Sequence, residues 1–451
     1  MAQYFKGLSV CGSARFVFVV TGLLLFLWLF LPPGFLLKFG PVTLRKEDLV
    51  RLLPLAIVAM VQPRSLLVRW HWIDIPVFIY CLCPLLCGLA NNLGWRYSIW
   101  ETSKEFCYWF VPYLLGRALL ADGQNQFRLG LVLMTAALCY VPPTVFEIVY
   151  GPVLTSWFAG HEVRGAVRGT TFKPNVFLSS GFALTMFYVL AAFTALAIGW
   201  RYASGLVPSE RRWFAAFLST SVLFVLVVVA SKSLGSIVFL CIGMALLLVV
   251  CTNATGASGR GLLVRLSVIL LASVAPIYIG LRLSGWISTQ RVHSIAMLFA
   301  SEERAGSLAY RLRAEDILFR RMEGRWWLGW GKWGSWAQGA SVMDIDGFWL
   351  FAWTRTGMLS VFAWLAMVTI PIVFFVLKRP DGRSGYASLS FVFALFLALS
   401  LIDSMFNFSG EAPQMLLVGS LTGSVLSGTT YLTPRNAGDG KGLQWRRPGL
   451  R

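Results

Sequence analysis

The stretch SLGSIVFLCIGMALLLVVC, residues 233–251, contains no charged side chain and is long enough to cross a lipid bilayer as a helix. Such stretches dominate the chain, because 57% of its 451 residues are hydrophobic and only 13% are charged. The mean hydropathy is +0.69. Soluble domains are about 25% charged. The composition therefore excludes a soluble enzyme, including one that is held at the membrane by a single anchor.

Apolar runs bounded by charged residues, Pro or Gly predict an all-α, polytopic integral membrane protein with about twelve transmembrane helices. The predicted spans are 16–37, 49–62, 74–90, 102–119, 129–149, 176–200, 213–230, 233–251, 262–284, 347–377, 385–402 and 411–430. The chain then divides into nine spans in residues 1–284, a large and partly helical loop at 285–346, three spans in 347–432, and a disordered tail at 433–451.

The charges between the spans predict how the chain is oriented. There are 39 Lys and Arg residues against 20 Asp and Glu, a net charge of +19. With a cytoplasmic N-terminus, nearly every short cytoplasmic loop is basic, as membrane proteins generally require. An even number of spans returns the C-terminus to the cytoplasm. Two loops on the opposite, periplasmic side are basic against this pattern: a short one at 151–175 and the large one at 285–346.

These two basic loops contain most of the candidate binding residues. The first carries His161, Arg164, Arg168 and Lys173. The second has eight Lys and Arg, among them Arg311, Arg313 and Arg320. Positive charge that opposes the orientation signal predicts a site for an anionic ligand.

A structural alternative exists for the charges of the large loop, which also has seven acidic residues. Residues 302–323 have the pattern of an amphipathic helix. On its surface, Glu315 is four residues from Arg311 and Asp316 four residues from Arg320, so each acid is spaced to neutralise one arginine. Arg313 has no acidic residue four positions away on either side.

Two further features of the large loop admit several roles. The indoles of RWWLGWGKWG, residues 325–334, suit an interfacial belt or packing, and Trp330 and Trp333 also suit a stacking platform for sugars. Asp344 and Asp346 have the spacing of a carboxylate pair for a divalent metal. We prefer a single carboxylate, Asp346, as a base or hydrogen-bond acceptor, with a helix cap as the structural alternative. No cofactor is predicted.

Three segments resemble elements of the O-antigen ligase and polymerase superfamily. They are EVRGAVRGTTFKPN at 162–175, ASKSLG at 230–235 and DGFWL at 346–350. The resemblance covers about residues 160–400. It implies a GT-C-like architecture in the bacterial inner membrane, with both termini cytoplasmic and one long periplasmic loop. Ligases of this group usually carry His followed by Asn where this chain has Asp346 and Gly347, which favours a polymerase of O-antigen or exopolysaccharide repeat units over a lipid A-core ligase.

The resemblance also implies a reaction, the transfer of an oligosaccharide from undecaprenyl diphosphate to a hydroxyl of an acceptor glycan or glycolipid. Asp346 would take the acceptor proton, and Arg168 and Arg313 would neutralise the diphosphate. The predicted substrate-binding residues are His161, Arg164, Lys173, Lys232, Arg311, Arg320, Trp330 and Trp333. Membrane lipid and chain-length regulator proteins are further implied partners, and nucleic acid is not.

Two other classes of function fit the composition. A secondary transporter of an organic anion would use the outer arginines as a gate and charges within the membrane as a substrate site. Charges within the predicted spans are sparse, mainly Glu105, Arg117, Glu147 and Arg355. An inactive scaffold of an envelope assembly complex is the third possibility.

Overall fold

The structure is a computed structural model. It describes residues 2–32, 34–39, 42–159, 167–168, 171–178, 180–204, 211–252, 258–299, 302–332, 347–378, 388–407 and 412–427. The tail predicted to be disordered, 433–451, lies outside the described residues.

Helices make up most of the described chain. They are α1 (Ala2–Phe30), α2 (Lys46–Val61), α3 (Ile75–Ala90), α4 (Trp95–Glu105), α5 (Val111–Leu119), α6 (Gly123–Tyr150), α7 (Val153–Ala159), α8 (Gly181–Ser204), α9 (Arg211–Ala230), α10 (Leu234–Thr252), α11 (Ser258–Leu283), α12 (Thr289–Phe299), α13 (Glu302–Arg321), α14 (Phe348–Thr356), α15 (Met358–Lys378), α16 (Leu389–Phe406) and α17 (Ala412–Ser427). A π-helical turn, Phe106–Phe110, joins α4 to α5. The structure also has two 3₁₀ turns, Pro63–Leu66 and Trp72–Asp74. Two antiparallel hairpins complete the described elements: β1 (Leu36–Phe39) with β2 (Val42–Arg45), and β3 (Val167–Arg168) with β4 (Thr171–Phe172).

In the described part of the chain, eight helices are long and apolar enough to cross a membrane. They are α3, extended by the turn before it, and α6, α8, α9, α10, α11, α15 and α16. The protein is therefore a predominantly helical membrane protein. The other four spans predicted from the sequence coincide with shorter or less apolar helices, namely the Arg15–Phe30 part of α1, then α2, the α4 to α5 unit, and α17.

The first predicted span, 16–37, is too long at its C-terminal side. Helix α1 ends at Phe30, and Leu36 already belongs to a strand, in which it pairs with Arg45. Pro32 follows the last helical residues, and proline offers no backbone N–H to continue a helix.

The predicted span 347–377 is two helices, because the chain breaks at Gly357. This residue has φ of +84°, and a Cβ at this position would collide with the carbonyl of Trp327. The Trp-rich segment docks on the break through three backbone hydrogen bonds: Met358 N to Trp326 O (2.9 Å), Trp330 N to Thr354 O (2.9 Å) and Gly331 N to Arg355 O (2.8 Å). The break in the helix thus provides the docking place for this segment.

Helices α8 and α16 form the centre of the bundle. In the most apolar 18 residues of each helix, the buried share is 94% for α8 and 89% for α16. The corresponding share is 22–33% for α9, α10 and α11. Helices with such a high buried fraction are enclosed by protein, whereas the outer three present apolar side chains to lipid.

Contacts between helices show which helix ends lie together. The end of α16 is beside the end of α11, where the rings of Phe406 and Tyr278 are 5.5 Å apart. At the opposite end of the bundle, Ser390 of α16 donates to Gln126 of α6 (2.5 Å). The end of α6 and the start of α8 therefore lie at the same end of the bundle as α12 and α13. We call this the α13 end.

Candidate functional site

Glu147 holds the polypeptide that leads into α8. It lies near the end of α6 and is 0% exposed. Its carboxylate accepts hydrogen bonds from Thr155 N (2.9 Å), Thr155 Oγ1 (2.7 Å), Asn175 N (3.0 Å) and Val176 N (2.7 Å). A buried carboxylate needs such donors to replace water. Glu147 thereby ties the backbone of Asn175 and Val176 to α6 at the α13 end.

Two more side chains fix residues 173–178, which we call the anchored segment. The Tyr140 hydroxyl accepts from Phe177 N (3.1 Å) and donates to Leu29 O (2.8 Å). The buried Lys46 ammonium donates to Phe177 O (2.6 Å). Val176 has a positive φ of 41°, a conformation in which a β-branched residue is strained. The anchored segment is thus held by α2 and α6 in one conformation.

Lys173, a predicted substrate-binding residue, lies at the start of the anchored segment. It is 8% exposed, and its ammonium is 2.9 Å from the centroid of the Phe182 ring. Gly181 makes this packing possible, because a Cβ there would be only 2.6 Å from Pro174 O. Lys173 is therefore a buried cation that packs on the first turn of α8.

Lys232, the second predicted lysine, is exposed in the tight turn between α9 and α10 and has φ of +50°. Side-chain bonds link this turn to the same part of α8. Ser233 Oγ is 3.1 Å from Ser236 Oγ, which is 2.7 Å from Thr185 Oγ1. The structure therefore brings the turn of Lys232 and the anchored segment together around the start of α8.

Of the remaining predicted residues of the first basic loop, only Arg168 lies within the described part of the chain. Arg168 belongs to β3 and pairs with Thr171 of β4, directly before the anchored segment. His161 and Arg164 lie outside the described residues, as do Trp333, Asp344 and Asp346 of the large loop.

Arg282, at the end of α11, connects α11 to α13. It is 3% exposed. Its guanidinium donates to Glu315 Oε2 (2.6 Å), Asp316 Oδ1 (2.9 Å), Leu312 O (2.8 Å) and Ile287 O (2.6 Å). Tyr278 and Thr289 donate to the same two carboxylates, at 3.0 Å and 2.6 Å. This buried network, the Arg282 network, fixes α13 against the membrane-spanning bundle.

The structural alternative paired these two acids with arginines on the surface of α13. In the structure, Arg282 forms ion pairs with both Glu315 and Asp316. Burial raises the pKa of the Glu315 carboxyl, and hydrogen bonding from Arg282 opposes this effect. Removal of Arg282 would thus leave a buried carboxyl without the cation that favours its charged form.

Arg313 and Arg320 remain on the exposed side of α13. Both side chains are exposed, and neither has an ion-pair partner among the residues described. The two positions are seven residues apart, which is two helical turns or about 10 Å along the axis. Arg311 is half-buried on the same helix. The helix thus presents two arginines on one face, in an arrangement that suits an anion with several oxygens.

Trp330 has a packing role. Its backbone takes part in the docking on the helix break, and the Arg325 guanidinium lies 4.7 Å from its ring centroid. The ring packs against the apolar core. These contacts match the packing alternative for the Trp-rich segment and leave Trp330 half-buried.

The four charges predicted within the spans all have partners. Arg355 donates to Glu105 Oε1 (2.5 Å) and Glu101 Oε2 (2.6 Å), and Glu101 also pairs with Lys104. At the opposite end of the bundle, Arg117 Nε pairs with Asp74 Oδ1 (3.0 Å). The fourth is Glu147, which accepts the hydrogen bonds described above. These contacts indicate structural roles for all four residues.

Several residues that build the site were not among the sequence-predicted candidates. Glu147 and Arg282 carried a usable signal, because an ionisable residue in or at the end of an apolar span needs a partner inside the protein. Lys46 and Tyr140 carried none, since their partner is a backbone group far along the chain.

The site residues at the α13 end form two groups. Lys173, Lys232 and Arg168 lie around the start of α8, whereas Arg311, Arg313 and Arg320 lie on α13, which packs on α11, α12 and α14.

A comparison of the chain with models of known protein families and with curated proteins finds no match.

Replacement of Glu147 by Gln is expected to lower the free energy of unfolding by about 2–6 kcal/mol. The amide keeps one acceptor oxygen and turns an NH₂ group toward donors that the other oxygen served, at about 1–3 kcal/mol for each buried N–H left unpaired. Thermal unfolding of the purified protein in detergent measures the loss. The matched control is Glu323→Gln on an exposed residue, and equal melting temperatures for the two variants would contradict the anchoring role.

Proposed function

We propose that the chain is a membrane-embedded glycosyltransferase. It moves an oligosaccharide from undecaprenyl diphosphate to a hydroxyl of an acceptor glycan, as a polymerase of O-antigen or exopolysaccharide repeat units. The arrangement of charges on α13 supports this proposal most. Arg282 engages the two acids of the helix, whereas Arg313 and Arg320 stay exposed. A helix with two exposed arginines at the rim of a membrane bundle suits a lipid-linked diphosphate.

The diphosphate is already a good leaving group, so the enzyme mainly has to neutralise its charge and orient the acceptor hydroxyl. The acceptor oxygen forms a bond to C1 of the donor sugar while the bond from C1 to the diphosphate oxygen breaks, and the electron pair stays on the diphosphate. Arg313 and Arg168 would neutralise this charge, because guanidinium groups bind phosphate oxygens in a bidentate fashion and remain protonated. Asp346 would accept the proton of the acceptor hydroxyl.

Cations from both groups serve this reaction. In the proposal, Arg313 of α13 and Arg168 of β3 bind the diphosphate. Lys232 lines the approach of the donor at the start of α8, where the buried Lys173 packs the anchored segment on Phe182. The rigidity of the anchored segment supports this assignment, since transfer between two large substrates depends on orientation. The prenyl chain would lie between helices in the bilayer.

The buried partners of the membrane charges favour this proposal over an anion transporter. A transporter would use charges near the midplane to bind its substrate or ions. Arg355, Arg117 and Glu147 are instead engaged in contacts that hold helices and backbone together. The proposed location is the bacterial inner membrane, with both termini cytoplasmic and the α13 end facing the periplasm.

Replacing Arg168 or Arg313 by Lys is expected to lower transfer about 10- to 100-fold. Lysine keeps the charge but loses the bidentate fork, and hydrogen bonds to charged groups are worth about 1.5–3 kcal/mol. The assay gives purified protein an undecaprenyl-diphosphate oligosaccharide and resolves the products. A ladder identifies a polymerase and a single addition a ligase.

The control for this assay is Arg64→Lys, an exposed arginine after α2 at the opposite end of the bundle, which should keep full activity. Full activity of both Arg168→Lys and Arg313→Lys would rule out the diphosphate site. Uptake of an organic anion into proteoliposomes, together with no transfer in detergent, would replace the transferase by a transporter.

A further inference from the structure

Arg282 uses nearly all of its hydrogen-bonding capacity on α13 and the turn before α12. Its Nη1 group donates to Ile287 O in that turn, and its Nε and Nη2 groups reach the middle of α13 through two carboxylates and Leu312 O. A guanidinium offers five N–H donors in a fixed plane, so a single side chain sets both the distance and the rotation of α13 relative to α11. Phe319, one turn further along α13, packs 5.3 Å below it.

The same contacts determine what the exposed face of α13 offers to a ligand. Asp316 is three residues after Arg313 and four before Arg320, which is the spacing of helix-surface ion pairs. Its Oδ1 is held by Arg282 and its Oδ2 by Thr289. Glu315 is turned inward and buried. Among the described residues, both acids of this part of α13 therefore pair with Arg282, and neither pairs with the two exposed arginines.

We propose that Arg282 is a positioning residue of the diphosphate site: it orients α13 and engages Glu315 and Asp316, so that these two carboxylates do not compete with the lipid-linked diphosphate for Arg313 and Arg320. This inference rests on the proposed function of Arg313. The charge balance explains the expected effect. Arg282, Arg313 and Arg320 against the two acids leave one positive charge, and removal of Arg282 leaves none.

The test replaces Arg282 by Met, with undecaprenyl-diphosphate oligosaccharide as the donor. The KM for the donor is expected to rise at least about 10-fold, and its dependence on ionic strength to weaken, because Asp316 is then free to pair with Arg313 or Arg320. The kcat is expected to change less than threefold. If Arg282→Met does not fold, Arg282→Lys, which keeps a charge but cannot span both helices, serves in its place.

Rescue distinguishes positioning from mere stabilisation. The triple variant Arg282→Met, Glu315→Gln, Asp316→Asn also removes the two competing carboxylates. Its KM for the donor should return most of the way to the wild-type value, although α13 is held less firmly. Arg313→Gln should cost much less in Arg282→Met than in the wild type, since the two residues act on one site. A KM within twofold of wild type for Arg282→Met, or full additivity of the two changes, would overturn the inference.

The single variant Arg313→Gln separates the two ideas. If it leaves the donor KM and turnover unchanged in the wild-type background, the proposed diphosphate site itself is wrong. If it raises the KM while every Arg282 variant behaves as wild type, the diphosphate site stands and only the positioning role of Arg282 fails.

Discussion

Replacement of Asp346 by Asn is expected to lower glycan transfer by about 10²–10⁴-fold, with expression and unfolding temperature unchanged. Under the proposed function, Asp346 accepts the proton of the acceptor hydroxyl, and an amide of the same size cannot. Single-turnover transfer from undecaprenyl-diphosphate oligosaccharide measures the effect on the chemical step. Donor binding should survive, because the arginines are intact.

The matched variant for this experiment is Asp344→Asn, which changes an acid two residues away and should keep most activity. Asn caps helices about as well as Asp, so near-normal turnover of Asp346→Asn would mean a capping role. Helix α14 has Gly347 at its N-cap position, and Asp346 lies outside the described residues. Loss of wild-type activity on addition of a chelator would instead favour a metal held by Asp344 and Asp346.

Replacement of Arg355 by Met is expected to destabilise the fold by about 3–5 kcal/mol. Methionine leaves the carboxylates of Glu101 and Glu105, both buried, without the guanidinium that bridges them. The cost is that of a charge in a low-dielectric interior with no partner. Thermal unfolding in detergent, monitored by the gel-filtration profile of the protein that remains folded, measures this loss of stability.

Two companion variants make this prediction specific. Lys104→Met removes the partly exposed cation that pairs with Glu101, and its effect should stay below about 1 kcal/mol, as for surface ion pairs. The triple variant Arg355→Met, Glu101→Gln, Glu105→Gln removes the charges together and should regain most of the lost stability. If Arg355→Met unfolds at the wild-type temperature, the ion pairs contribute nothing to the fold.

The predicted helix bounds illustrate what can be inferred without coordinates. The predicted spans 213–230 and 233–251 differ from α9 and α10 by two residues at most, and the amphipathic helix 302–323 coincides with α13 to within two residues. In each case the signal is local: an apolar run or period, bounded by charged or turn-forming residues. The span 347–377 was not predicted correctly from local signals, because the break at Gly357 depends on the carbonyl of Trp327, which belongs to another segment.

The site shows the same division. The basic character of the two loops is a property of composition, and it made Lys173, Arg313 and Arg320 candidates among the eleven site residues predicted from the sequence. The sequence could not tell which arginines are neutralised, because pairs four residues apart on a helix competed with pairs from other helices. Arg282 and Glu315 are 33 residues apart, and the structure selected that pair.

The membrane environment can be inferred from the sequence, as can the helices and their approximate ends, since hydrogen bonding inside a helix and the length of an apolar run depend on about twenty neighbouring residues. The pairing of polar groups depends on the tertiary structure. Glu147 and Val176 are 29 residues apart and Arg355 and Glu101 are 254 apart. Buried charges must find partners wherever the packed helices bring them, and that choice depends on the arrangement of the whole bundle.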